Sequence, residues 1–191
     1  MTDQARLVAR LGWACMAAAL LSGILQGLWE LAHPILITDA TFAAAAGTQR
    51  WGYGLLAVIK SAGFYAGLFG LFLIATERGR ILNLFLKLAL LGGVFFAAVW
   101  LYMAATGHIT LLYVLGGMWY QMIAPVALGI ATLRRRRIAW WVGVYAIAVG
   151  ILNSQIFMRL KPGLALLVQG VIWLIFGFMV YTFRSRAQQL T

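Results

Sequence analysis

The chain has 191 residues, 64% of them hydrophobic and 10% charged, with a mean hydropathy of +0.93. Soluble domains carry about a quarter charged residues, so a water-soluble globule is excluded. A net charge of +11 would suggest nucleic acid in a soluble protein; here the basic residues gather at the ends of apolar segments, where they orient spans and meet anionic headgroups, and no nucleic-acid partner is expected.

Residues 1–46 share features with a secretory signal: Arg6 and Arg10, then an apolar run, then the small residues Ala43 to Ala46. The run is too long for a signal core and contains Gln26 and Glu30, so it is expected to remain as a first span near 11–36. Cys15 lies inside it, and as the single cysteine it can form no intramolecular disulfide. At about 100° per helical residue, Ser22, Gln26, Glu30 and His33 fall within roughly 80° of one another. An ionisable side chain at membrane depth costs about 2.5 to 3.5 kcal/mol on insertion scales, which turns this stripe toward a bundle interior or a wet cavity.

Residues 37–50 form a connection in which Thr38 or Asp39 can cap a short helix ended by Gly47, an interfacial lid over 38–47. The second span is predicted near 52–75. It carries Lys60 about 13 Å below its start, too deep to reach the surface completely. A first span continuing to Ile37 sets Glu30 at a similar depth, and a Glu30–Lys60 pair satisfies both charges.

Four further spans are predicted near 82–105, 109–133, 138–158 and 163–183, joined by short links that make successive helices antiparallel neighbours. Pro125 is expected to kink the fourth and free a carbonyl for a neighbour to satisfy. Gly23 with Gly27, Gly63 with Gly67, and Gly163, Gly170 and Gly177 mark close helix approaches, and the same faces suit a homodimer or a partner membrane subunit. The expected fold is therefore an all-α, six-span bundle forming one domain. Arg6, Arg10, Arg78, Arg80, Arg134 to Arg137, Arg184 and Arg186 share one side of it, against Arg50, Arg159 and Lys161 on the other. The positive-inside rule places both termini in the cytoplasm, with the inner (plasma) membrane as the location.

Sorted by depth, the polar residues concentrate in the outer half. Gln26, Glu30, His33, Lys60, Trp100, Tyr102, His108, Tyr113, Asn153 and Gln169 are the candidate ligand-binding set. Buried charge to hold a polar headgroup and an aromatic wall for an apolar body point to binding or transport of a small polar or amphiphilic molecule. An intramembrane acid–base enzyme on a lipid-like substrate would use Glu30, His33 and Lys60, and an accessory or scaffold subunit would need the stripe only for packing. No cofactor is expected. Haem held by His33 and His108 is the alternative for the imidazoles, although neither lies deep in a facing helix pair. The Glu30-x-x-His33 spacing fits a di-iron half-site, which would need more inward carboxylates than Asp3, Asp39 and Glu77 supply. No phosphate-binding loop or nucleophile elbow is present in the sequence.

Overall fold

Long runs of Leu, Ala, Phe and Gly with no water to satisfy the backbone leave the helix as the spanning structure that bonds its own amides. The computed structural model describes residues 3–32, 39–75, 80–135 and 138–185, and the regular structure among them is helical throughout. Helix α1 runs over Asp3–Ala32 with a π turn at Leu20–Leu25. The short α2 covers Asp39–Ala44, α3 Gly47–Ala75 and α4 Arg80–Thr106. Helix α5 consists of Leu112–Gly117, a second π turn at Met118–Ile123, and Ala124–Arg135. Helix α6 is Trp140–Arg159 and α7 Pro162–Thr182.

Helices α1, α3, α4, α5 and α7 are long and apolar enough to cross a membrane, as befits a multi-pass membrane protein; α6 contributes the shorter apolar stretch Trp140–Asn153 among the described residues. Helix α1 starts about two turns before the hydropathy boundary. Its first turns are amphipathic: Ala5, Val8 and Ala9 are buried against the bundle, while Arg6 pairs with Asp3 on the outside. A hydropathy window averages over such a segment, whereas packing uses one face of it.

The helices form a ring in chain order, α1 beside α3, then α4, α5, α6 and α7, which returns to α1. Their close approaches fix the directions. Gly12 meets Gly177, Gly23 meets Gly170 and Gly27 meets Gly163, so α1 and α7 run antiparallel along a seam where backbone lies on backbone. A Cβ on Gly23 would come to 2.4 Å from the Gly170 Cα. Gly63 and Gly67 nest over Ala18 and Cys15, Gly92 against Gly116, and Gly129 against Gly143, each pair again antiparallel. With lipid on the outside there is no hydrophobic drive between helices, and dispersion across these glycine contacts supplies much of the association. Every neighbouring pair alternates, so the chain's first and last helices bring their terminal ends to the same side, called lower here; Glu30 and Gly107 mark the upper side.

Candidate functional site

The α1 stripe turns inward. Ser22 is fully buried and its hydroxyl donates to the Ala18 carbonyl at 2.6 Å, a local back-bond that keeps a lone hydroxyl satisfied in an apolar helix. One turn up, the Gln26 amide donates to Glu30 Oε1 at 2.9 Å. Glu30 is 6% exposed. The nesting of Gly63 on Ala18 sets the register of α3 against α1, which brings Tyr53 beside Trp29 and Glu30 and leaves Lys60 opposite the Ser22 level. Lys60, also 6% exposed, therefore enters the bundle about two turns below Glu30 rather than at its height. The two are linked through their charges. The Tyr53 phenol faces the Glu30 carboxylate.

Around this carboxylate stands an aromatic wall. Tyr53 stacks on Trp100 with ring centroids 6.2 Å apart, and Trp100 lies 5.2 Å from Tyr113. Phe42 of α2 forms the roof: it is buried against Tyr53, Val99 and Met103. Arg50 holds the roof in place by donating to the Ala43 carbonyl at 3.2 Å. Its guanidinium lies against Gly107, which ends α4 with φ +75° and donates to the Met103 carbonyl at 2.8 Å. A side chain at Gly107 would be strained by that φ and would collide with Arg50.

Below Glu30 the polar lining continues on other helices. Lys60 and Gln169 each lie one turn above the stacked pair Phe64 and Trp173, whose rings are 4.2 Å apart at 7°, and so occupy the same level on α3 and α7. Gln169 donates to Gln121 Oε1 at 2.7 Å and approaches Asn153 Oδ1 at 3.5 Å. Asn153 in turn donates to the Gln121 backbone carbonyl at 2.8 Å. That carbonyl is four residues before Pro125, which has no N–H to give it, so the amide of α6 repairs the bond that the proline removes. Gln121 also donates to the Tyr120 hydroxyl, which faces Ser61 on α3. Both π turns thus carry a buried polar residue, Ser22 in one and Gln121 in the other, a placement π turns often have at functional sites.

The result is a polar column with a roof at Phe42, an upper layer at Glu30, Tyr53 and Trp100, a middle layer at Lys60, Gln169, Asn153 and Gln121, and a floor at Phe64 and Trp173. Four buried side-chain atoms among the described residues lack a hydrogen-bond partner, Arg50 Nε, Trp100 Nε1, Gln169 Oε1 and Trp173 Nε1, and a fifth buried polar atom, the Tyr53 hydroxyl, is directed at the Glu30 carboxylate. All five belong to the column, its roof or its floor. An unsatisfied buried donor or acceptor costs about 1 to 3 kcal/mol, and such groups gather where a further polar molecule completes the bonding.

Of the candidate residues, Gln26, Glu30, Lys60, Trp100, Tyr113, Asn153 and Gln169 line the column or its wall. Tyr102, 59% exposed, sits on the outer face of α4, where a 100° step from Trp100 per residue carries it away from the interior. His108 is exposed in the turn after α4, its backbone amide donating to Thr106 Oγ1. His33 lies outside the described residues. Tyr53, Gln121, Phe42 and Arg50 belong to the site without having been in that set. Gln121 had a readable signal, as the residue four before a mid-span proline; Phe42 and Arg50 had none, since their role depends on how α2 folds back. No group of three or more metal-binding side chains occurs among the described residues.

No family model, curated protein or solved structure matches the chain.

Proposed function

We propose that the chain is a six-span protein of the plasma (inner) membrane, with both termini in the cytoplasm, that binds a small polar or amphiphilic molecule in the upper column. The alternating helix directions support the topology, because they carry Arg6, Arg10, Arg80, Arg134 and Arg184 to the lower side. One observation carries the ligand reading: the partnerless buried polar atoms collect around a buried acid and a buried lysine, within reach of an aromatic wall. A ligand headgroup there accepts from the Trp100 indole and meets the charges of Glu30 and Lys60, while an apolar body lies along Tyr53, Trp100 and Tyr113.

The test is untargeted mass spectrometry of protein extracted in native lipid discs, comparing wild type, Glu30→Gln, Lys60→Met and the off-site control Tyr102→Phe. Wild type and control are expected to carry one co-purifying small molecule near stoichiometry, and the two column variants to lose it at least tenfold while keeping the wild-type melting temperature within a few degrees. A wild type carrying no such molecule, or column variants that keep it and change only in stability, would overturn the reading in favour of a scaffold.

A further inference from the structure

Helix α4 bears a second feature, remote from the column. Arg80, Leu84, Lys87, Leu91 and Phe95 recur at spacings of three and four and form one stripe, and all five are exposed. Beside its upper part lies a furrow of about 240 Å³ between Leu88, Leu91 and Phe95 on α4 and Trp119 on α5. Its bottom is where Gly92 and Gly116 bring the two backbones together: a Cβ on Gly116 would come to 2.4 Å from the Gly92 carbonyl oxygen.

Lys87 is two turns inside a span and faces outward, among leucines. Side chains on a helix lean toward its N-terminus, so the Lys87 ammonium is directed along the surface toward Arg80 and the lower headgroup level. The Lys87 ammonium is thus brought down toward the level of Arg80, below the furrow. Neither α4 nor α5 contains an aspartate or glutamate, so no carboxylate on the helices that form the furrow neutralises them.

We infer that Arg80, Lys87 and the α4–α5 furrow form a binding site for an anionic phospholipid, its phosphate held between the two cations and one acyl chain laid against Gly92 and Gly116. The charges select the headgroup and the furrow seats the chain, so the lipid is retained rather than merely adjacent. The inference rests on α4 and α5 crossing a bilayer and is independent of the ligand column.

The full chain is reconstituted in nanodiscs of phosphatidylcholine with a minor fraction of phosphatidylglycerol and released for native mass spectrometry. Wild type is expected to retain phosphatidylglycerol well above its share of the disc. Lys87→Gln should reduce retention about fivefold, Lys87→Arg should preserve it, and Leu88→Trp, which fills the furrow and leaves both cations, should reduce it as well. A photoactivatable phosphatidylglycerol on the wild-type protein provides the check that needs no variant: its adducts should map to residues 88–95 and 115–119. Retention in proportion to disc composition, equal retention by Lys87→Gln, or adducts spread evenly over the helices would overturn the site.

Discussion

Along α3 the interior changes character within one turn. At Tyr53 and Ser61 the helix meets the Glu30 carboxylate and a second tyrosine, Tyr120; from Phe64 down through Leu68, Leu71 and Ile74 it meets Cys15, Trp173, Phe176 and Val180. The lower part is mostly satisfied, Trp173 Nε1 at its top excepted: the Cys15 thiol donates to the Trp173 carbonyl, and the buried Thr132 hydroxyl bonds back into its own helix. The upper part is not, and it holds the roof, the charges and both π turns. In a bilayer, helices gain nothing from hiding leucine from lipid, so a dry, glycine-spaced half suffices to hold the bundle. The polar half costs stability that the dry half supplies, which is the distribution expected when one end of a protein is kept for a ligand.

Changes on either side of this divide test it. The largest effect is expected from Phe64→Ala, which removes the face of the Trp173 stack and leaves a cavity in the floor; roughly 3 kcal/mol should be lost in reversible unfolding in mixed micelles. Gln169→Leu, at the border, strips Gln121 Oε1 of its donor and should cost about 1 to 3 kcal/mol by the same measurement. A smaller, local effect is expected from Phe42→Ala. Hydrogen exchange should rise across residues 39–50 while the Phe64–Ile74 segment keeps its protection; acceleration in both would mean that roof and floor unfold as one unit. Gly52→Ala should act least and in the opposite direction. Its Cβ meets nothing within 4 Å, so the change only restricts the backbone and should add about 0.5 to 1 kcal/mol.

The helical fold was legible because an apolar chain in lipid has few ways to satisfy its amides, and the glycine spacings at Gly23, Gly27, Gly63 and Gly67 named true contact faces. The inward turn of Ser22, Gln26 and Glu30 followed from the cost of facing lipid. What the sequence withheld was register. Whether Lys60 meets Glu30 or lies two turns below it depends on which small residue Gly63 lands on, and hydropathy is blind to that choice. The same holds for the first two turns of α1, whose buried Ala5, Val8 and Ala9 read as part of a charged leader. Tyr102 illustrates the remaining limit: depth along a helix can be counted from the sequence, but the neighbour that a side chain faces is set by packing.

The seam between Gly12, Gly23, Gly27 and their partners Gly177, Gly170 and Gly163 joins two helices with all the others between them in the chain. During synthesis α1 enters the membrane with its glycine face bare, and it must stay so until α7 has followed. The α1–α7 seam therefore closes only once α7 has been made, and a nascent chain stalled before residue 163 would leave Glu30 without its finished surroundings.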